Sequence, residues 1–444
     1  MRNMKKFIIG MTVMSMMASV ATPVTTPFIP MAATNVLAEV VNQGRCGDDV
    51  YYQFDNETHT LTLSGKGGTW DLYPIKINND WENPIKIVIE NGVTTIGNSL
   101  FSYCSNISSV KMADTVTTIK SNNFDRVEGT IEIPASVKKV ESNAFNGAEK
   151  IVFMGDVVGY ESGALTWSDS GSGDYDIGEV SLNGSADDLG KALYGASVNA
   201  ITLSKENKKC TVKNGCLTTA DGKGLYLLIQ QGGSKMTISD DVETIYPFAF
   251  ADSELSRVKL GKNVKTIGDF AFAGSSYLNE VKLNKNLSKI GTKAFDGCYE
   301  LKTLDIPGKV KMGVGAVRKN ATIENTNKFK YSQTILSTAK FAKKKIRLEF
   351  AKIKGASGYE IVIKRGKKSY KYTTTKNIFK KAMPSKLTKN YDVEMSYSCI
   401  GDEYLKTFDD SATVKVRPYK IVKKGKKTKK AYGMWSAKMI ISDK

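Results

Sequence analysis

The segment "LSRVKLGKNVKTIGDFAFAGSSY", residues 255–277, is followed directly by "LNEVKLNKNLSKIGTKAFDGCYE", residues 278–300, and the two segments share one pattern. In each of them an aliphatic residue stands five positions before a phenylalanine. The same pairing recurs upstream, and the full set is Ile96/Phe101, Ile119/Phe124, Val140/Phe145, Ile245/Phe250, Ile267/Phe272 and Ile290/Phe295. Within two blocks these phenylalanines are 21 to 23 positions apart, so an internal repeat decides the fold.

One copy of the repeat predicts two short strands and a turn. In the copy at 278–300, "VKL" and "LSKI" alternate as strands do, Gly291 lets the chain bend, and "TKAFDGC" forms a turn with Phe295 pointing inward. A single copy cannot bury its apolar face, whereas stacked copies form a continuous core with a column of phenylalanines. Replacing one of these phenylalanines by alanine is expected to cost roughly 3–5 kcal/mol.

The consensus L-x-x-V-x-L-x-x-x-V-x-x-I-G-x-x-A-F-x-G-C resembles the leucine-rich repeat of BspA-like bacterial surface proteins. The segment "GRCGDDVYYQFDNETHTLTLSGKGGTWDLYP", residues 44–74, also resembles the cap that precedes such arrays. The resemblance covers residues 44 to 320 and implies a leucine-rich-repeat solenoid that serves adhesion and binding. It further implies that Cys104 and Cys298 are small buried residues of the scaffold.

Beyond residue 328 the period disappears and the pattern changes to alternating antiparallel strands. "SGYEIVI", "ATVKVRPYKIV" and "AYGMWS" resemble a fibronectin type III-like domain, with Tyr359, Tyr419 and Trp435 at core positions. The expected fold is therefore a solenoid followed by an all-β sandwich. The expected segments are a signal peptide (1–38), a cap (39–84), repeats (85–326) with an irregular insert around 153–235, and a basic sandwich (335–444).

The amino terminus carries the features of a secretory signal peptide. Arg2, Lys5 and Lys6 precede an apolar stretch from residue 7 to 17, and small residues follow, with cleavage after Ala21 or Ala38. A retained membrane anchor is the alternative, but the apolar run is shorter than the roughly 20 residues that a spanning helix needs. We therefore expect a secreted or loosely wall-associated protein with no integral membrane segment after cleavage.

Charge is distributed unevenly along the chain. The formal charge is −6 over residues 39–326 and +22 over residues 327–444, within a total of +19. Such asymmetry predicts an anionic partner, such as a cell-wall polymer, for the carboxyl-terminal domain. The densest run is "KKGKKTKK", expected as a turn between the last two strands, and the candidate residues are Lys423, Lys424, Lys426, Lys427, Lys429 and Lys430. The alternative is a solvated loop that aids solubility; no stacking aromatic residue interrupts the run, so specific nucleic-acid binding is not expected.

The residue types that catalysis or metal binding would need are scarce. His59, in a predicted surface strand or turn, is the single histidine, and the six cysteines form no CxxC pair, so neither a metal site nor a cofactor is expected. "DSGSGDYD", residues 169–176, is a weak calcium candidate that also fits a flexible loop. The segment "CTVKNGCLTTADGKGLYLLIQQGG" predicts a hairpin that turns at Asp221-Gly222. The sequence leaves open whether Cys210 and Cys216 form a disulfide. Tyr160, Trp167 and Tyr175 either pack in the insert or face a sugar or protein.

Stacked repeats would align outward residues of the first strand into polar ladders. One expected ladder is Val88, Lys111, Glu132, Lys259, Lys282 and Asp305, and the other is Lys86, Ser109, Thr130, Arg257, Glu280 and Thr303. Arg257, Lys259, Glu280 and Lys282 would form a mixed-charge patch, the alternative being an ordinary solvated sheet face. The expected function is a non-catalytic adhesion protein that binds a protein or glycan of a host or neighbouring cell. The alternatives are a structural wall protein acting through its basic domain, and a hydrolase with its site in the array.

Overall fold

A computed structural model describes residues 42–77, 83–104, 106–166, 177–196, 198–229, 233–324, 330, 333–342, 345–365, 367–382, 412–424 and 427–441. The predicted signal peptide, Lys426, Trp167, Tyr175, Cys399 and the calcium candidate at 169–176 lie outside these residues. Across the described parts of the chain the architecture is almost entirely β, with one short helix. Among the described helices, none is long and apolar enough to cross a membrane.

The first array is built on a long sheet that begins antiparallel and continues parallel. The sheet order is β1-β2-β3-β5-β7-β9-β11-β12-β13, and β4, β6, β8 and β10 form a second, parallel sheet. The elements are β1 Gln43–Arg45, β2 Val50–Asp55, β3 Thr60–Gly65, β4 Gly67–Gly68, β5 Ile85–Ile89, β6 Val93–Ile96, β7 Ile107–Met112, β8 Thr118–Ile119, β9 Phe124–Ile133, β10 Lys139–Val140, β11 Phe145–Phe153, β12 Ile177–Leu182, α1 Leu189–Ala192 and β13 Val198–Leu203.

The second array also begins with three antiparallel strands. β14, β15 and β16 form this start and then pair in parallel with β18, β20, β22 and β24, while β17, β19 and β21 form a separate parallel sheet. The elements are β14 Cys210–Lys213, β15 Cys216–Thr219, β16 Gly224–Leu228, β17 Lys235–Thr237, β18 Thr244–Ile245, β19 Arg257–Lys259, β20 Thr266–Ile267, β21 Glu280–Lys282, β22 Lys289–Ile290, β23 Thr303–Asp305, β24 Lys311–Met312 and β25 Thr322–Glu324.

The predicted insert is only partly irregular. β12 and β13 extend the parallel sheet of the first array, and Tyr160 pairs with Val140 as the next aliphatic position of the repeat would. The predicted hairpin is found at Asp221-Gly222, but a further antiparallel strand precedes it. The insert therefore contains the end of one array and the beginning of the next.

The phenylalanines stack as the repeat predicts, but they form two columns in separate cores and not a single one. Neighbouring rings are stacked with centroids 5.2 and 5.1 Å apart from Phe101 through Phe124 to Phe145. From Phe250 through Phe272 to Phe295 the centroids are 4.9 and 5.1 Å apart. Leu165 and Val317 are buried at the next repeat position after each column, so both columns continue with smaller side chains.

Gly291 lies where the sequence predicts a bend, but its φ is not positive, so a left-handed conformation is not the reason for glycine at this position. A Cβ at this position would lie 2.5 Å from the backbone carbon of Gly268 and 2.5 Å from the backbone nitrogen of Asp269. Gly313 in turn approaches the backbone of Thr292 in the same way. Glycine is required because successive turns of the solenoid pack backbone against backbone.

The carboxyl-terminal domain contains two antiparallel sheets. One has the order β26-β27-β31, and the other has the order β30-β29-β32-β33 with β34 also paired to β32. The elements are β26 Leu336–Ala342, β27 Lys345–Phe350, β28 Lys352–Ile353, β29 Gly358–Arg365, β30 Lys368–Thr374, β31 Ile378–Ala382, β32 Ala412–Lys424, β33 Lys427–Tyr432 and β34 Met439–Ile441. Phe350 packs on Tyr359 and Tyr372 on Phe379 between the sheets, with centroids 4.7 and 5.5 Å apart. This arrangement agrees with the predicted sandwich, while its assignment to the fibronectin type III class stays a prediction.

The sandwich is joined directly to the second array. β28 leaves the sandwich and pairs in parallel with β25, which places Ile353 opposite Ile323. Lys354 forms an ion pair with Glu324 at 2.9 Å, and Gln333 accepts from the Met312 amide while its own amide donates to the Trp435 carbonyl. One hydrophobic core runs without interruption from Cys216 to Met439. The sandwich therefore covers the last repeat instead of hanging from a linker.

Candidate functional site

The four predicted residues of the mixed-charge patch lie together on an exposed sheet face. In the parallel register of β19 and β21, Arg257 is opposite Glu280 and Lys259 is opposite Lys282. The residues between them, Val258 and its partner on β21, are buried, which sends the four charged side chains to the solvent side. The repeat alignment therefore gave the correct neighbours.

Electrostatic contacts in the patch centre on one carboxylate. The Glu280 carboxylate forms two ion pairs, with Arg257 Nε at 3.5 Å from Oε2 and Lys282 Nζ at 3.3 Å from Oε1. Lys259 forms no ion pair with any described residue and stands opposite Lys282, which carries the same charge. The three bases and one acid give the patch a net positive charge, and the nearby Asp240 interacts electrostatically with Lys259.

The predicted ladders form within the first array, but they do not continue from β21 to β23, which belongs to a separate sheet. Val88, Lys111 and Glu132 align across β5, β7 and β9, as do Lys86, Ser109 and Thr130. Asp305 and Thr303 lie on β23, opposite Glu324 and Thr322. In the first array a shallow cavity of about 370 Å³ lies on this face, lined by residues that include Val88, Glu90 and Lys111.

The described cysteines belong to the scaffold. Cys46, Cys104, Cys210, Cys216 and Cys298 are buried free thiols, so Cys210 and Cys216 form no disulfide in this structure. Burial raises the pKa of Cys104 and of Cys298 to about 12, which keeps both thiols protonated at neutral pH. The Cys298 thiol donates to the Phe272 carbonyl at 3.0 Å, so the resemblance predicted its role correctly.

The remaining candidates for chemistry are placed as follows. Tyr160 is buried and packs edge-on against Phe153 at 5.6 Å, which removes it from the possible contact surface. His59 lies in the turn between β2 and β3, one of the two predicted placements, with φ 51°. Its side chain is half-buried, and its Nδ1 is buried without a hydrogen-bond partner. Within the described ranges, no group of three or more His, Cys, Asp or Glu side chains is arranged to hold a metal ion.

The lysine-rich run forms the strands of a hairpin, and the prediction that it is mainly a turn is wrong. Lys423 lies opposite Thr428 and Lys424 opposite Lys427, and Lys429 and Lys430 follow on β33. The pair is also not the last in the chain, because β34 follows. Lys430 Nζ is 4.1 Å from the ring centroid of Tyr419, and Ile421 beside it is 52% exposed. The hairpin thus presents lysines next to apolar surface.

An arginine that the sequence reading missed organises the surface near this hairpin. The Arg417 guanidinium lies 3.8 Å from the Tyr432 ring centroid and 4.3 Å from that of Trp435. Arg417 also donates from Nε and Nη2 to Glu360 Oε1, at 2.9 and 2.6 Å. Trp435 is therefore half-buried under the guanidinium, whereas Tyr359 and Tyr419 are buried as predicted.

The model of the BspA type leucine rich repeat region matches six copies in this chain, over residues 80–155 and 231–347. A leucine-rich repeat protein from Eubacterium ventriosum is 16% identical, with 63% of this chain and 88% of that chain covered and a TM-score of 0.40. The pneumococcal vaccine antigen PcpA is 16% identical, with 65% and 84% covered and a TM-score of 0.38. A leucine rich cell surface protein from Faecalibacterium prausnitzii is 16% identical, with 66% and 88% covered and a TM-score of 0.35. No curated protein matches the chain.

Proposed function

Because the repeats of this chain are leucine-rich repeats of the BspA type, we propose that it is an exported, non-catalytic binding protein of the cell surface. The second array presents its outward sheet face to a protein or glycan of a host or neighbouring cell. The observation that carries the proposal is the patch of Arg257, Lys259, Glu280 and Lys282 on the solvent side of the sheet, where the three basic residues are exposed and Glu280 is half-buried.

The charge pattern of this patch argues for a ligand. Like charges directly opposite each other on neighbouring strands destabilise a sheet, whereas opposite charges stabilise it. Arg257 and Glu280 follow the stabilising rule, but Lys259 and Lys282 do not. An acid at either lysine position would favour the fold, so the lysine pair is explained by an anionic or hydrogen-bond-accepting group on the ligand.

The test is a double charge reversal in the full chain. Ligands are first identified with a glycan array and a panel of matrix proteins. Arg257→Glu with Lys282→Glu should then weaken binding at least about tenfold, which corresponds to roughly 1.4 kcal/mol. The matched control is Lys205→Glu with Lys208→Glu, two exposed lysines in the turn after β13. Unchanged binding by the patch variant, or an equal loss in the control, rejects this face as the site.

A second candidate function is a structural, wall-associated protein that acts through its basic domain alone. The lysines of the β32–β33 hairpin favour it, because no acid faces them in the described register. Replacing Lys423, Lys427, Lys429 and Lys430 by glutamine should then abolish binding of the full chain to purified cell wall. The double reversal at Arg257 and Lys282 should leave wall binding intact; if it does not, the two surfaces serve one ligand.

A further inference from the structure

We infer that the outward face of the five-stranded sheet is a binding site for a linear polymer carrying phosphate or sulfate groups, centred on Lys364, Lys371 and Lys415. The inference rests on the proposed anionic partner of the basic domain. The main contact then lies on the sheet face, and the lysine-rich hairpin is an extension of that face. The ligand is a polymer with phosphate or sulfate groups.

The three lysines surround one apolar side chain. In the antiparallel register Val362 on β29 lies opposite Lys371 on β30 and opposite Lys415 on β32, so the three residues share a face. Lys364 is two residues along β29 and therefore points to the same side. Strand geometry places their Cα atoms about 8 to 10 Å from one another. All three lysines are exposed and Val362 is half-buried.

Within the described part of the chain, no acidic side chain pairs with this cluster. In the described part of the carboxyl-terminal domain the acids are Glu349 and Glu360. Glu360 lies on the same face but is already bonded to Arg417, and Glu349 lies on the other sheet, paired with Lys319 and Arg347. None of Lys364, Lys371 and Lys415 forms an ion pair with a described residue. Three like charges held this close favour the release of counterions to a polyanion.

The same face continues along β32 to the hairpin. Lys415, Arg417, Tyr419, Ile421 and Lys423 occupy every second position of β32 and therefore share one side of the strand, and Lys430 lies opposite Ile421. From Lys415 to Lys423 the strand spans about 27 Å. Lysine clusters therefore stand at both ends of a strip whose centre is covered by Arg417 over Tyr432 and Trp435. A lone phosphate can reach one cluster, whereas a polymer can reach both.

The chemistry of the strip favours an anionic glycopolymer over a nucleic acid. Base recognition on a sheet needs aromatic faces on which bases can stack. Here Arg417 lies over the rings of Tyr432 and Trp435, and Lys430 lies over that of Tyr419. Val362 and Ile421 instead offer small apolar contacts to the carbon skeleton between successive phosphate or sulfate groups.

The experiment measures salt-dependent binding of the full chain to long-chain inorganic polyphosphate and to heparin, as probes of phosphate and sulfate. The face variant replaces Lys364, Lys371 and Lys415 by glutamine, and the hairpin variant replaces Lys423, Lys427 and Lys430. The control variant makes the same change at Lys205, Lys208 and Lys289, which are exposed on the arrays. Each variant loses three positive charges. A difference in binding between the variants therefore reports a local binding site and not the net charge of the chain.

In the face variant the slope of log affinity against log salt should become shallower by about two, since each lost contact removes roughly 0.7. The control slope should be unchanged. Polyphosphate chains shorter than about 27 Å should bind more weakly than longer ones. Only the longer chains should bind the hairpin variant more weakly than the wild type. The probe that binds the wild-type chain more tightly at one fixed salt concentration identifies phosphate or sulfate as the preferred group.

An unchanged slope in the face variant, with loss confined to the hairpin variant, overturns the inference but leaves a basic-domain role standing. Equal losses in all three variants reduce the effect to net charge and also overturn it. If the wild-type chain binds neither probe, both the inference and the wall-associated function fail, while the ligand surface on the second array is unaffected. Tighter binding to single-stranded DNA than to both probes overturns the choice of ligand class.

Discussion

Cys298 shows how a residue that looks chemical in isolation acts as part of the scaffold. Its thiol is buried, donates to the Phe272 carbonyl and lies beside the column of phenylalanines. Burial raises its pKa from 9.0 to about 12 because the thiolate would lose its hydration. The same is true of Cys46, Cys104 and Cys216. Protonated, buried thiols are poor nucleophiles, so these positions favour a packing role.

This raised pKa predicts that stability falls at alkaline pH. Above pH 9.0 the unfolded chain loses the Cys298 proton while the folded chain keeps it up to about pH 12. Stability is therefore fully present below the unfolded pKa and declines through this window. Between pH 8 and pH 10.5 the wild type should lose about 2 kcal/mol more than Cys298→Ala, as measured by urea unfolding at both pH values. Equal losses in the two proteins would show that the thiol already ionises in the folded state.

Individual residues were predictable from the sequence where the repeat itself identifies their position. The phenylalanine columns and the charged patch follow from aligning the copies. The close backbone approach at Gly291 was not predicted, because it depends on the stacking of successive turns, which one copy does not display. Leu165 and Val317 were missed because smaller side chains occupy the phenylalanine position at the end of each column.

At the scale of the element, the close approach of Gly291 to the backbone of the preceding repeat predicts that no side chain is tolerated at this position. Gly291→Ala places a Cβ 2.5 Å from the backbone of the preceding repeat, which must shift. The expected cost is about 1–3 kcal/mol, as for an overpacked core, and would appear as a lower urea midpoint. Gly308→Ala is the matched control, because open space surrounds the new methyl group. Similar midpoints for the two variants would contradict backbone-to-backbone packing.

Other elements depend on pairings that sequence patterns do not specify. The sequence pattern of β28 predicts part of a sandwich strand, but in the structure β28 pairs with β25 of the array. The lysines of the sandwich face were missed for a related reason. Alternation shows that Lys364, Lys371 and Lys415 are outward, but only the cross-strand register places them around Val362.

At the scale of the whole molecule, the shared core predicts that the second array and the sandwich unfold together. Trp435 reports on the sandwich once Trp70, Trp81 and Trp167 are replaced by phenylalanine. In that background Phe272→Ala, in the array, should lower the midpoint seen by Trp435 fluorescence, because the lost packing costs roughly 3–5 kcal/mol. Tyr277→Ala, whose side chain is 63% exposed, is the control. A Trp435 midpoint unaffected by Phe272→Ala would mean that the two parts unfold independently.

The pairing of β28 with β25 also restricts rotational freedom. Since Ile353 completes the array sheet and Lys354 reaches back to Glu324, the sandwich does not swivel about a tether. A molecule held to an anionic surface by its sandwich would then present the second array in one fixed orientation. Binding of a second ligand by the array would then require little further ordering of the two domains. The attachments of the sandwich and of the array would reinforce each other, because binding of one raises the effective concentration of the other at its ligand.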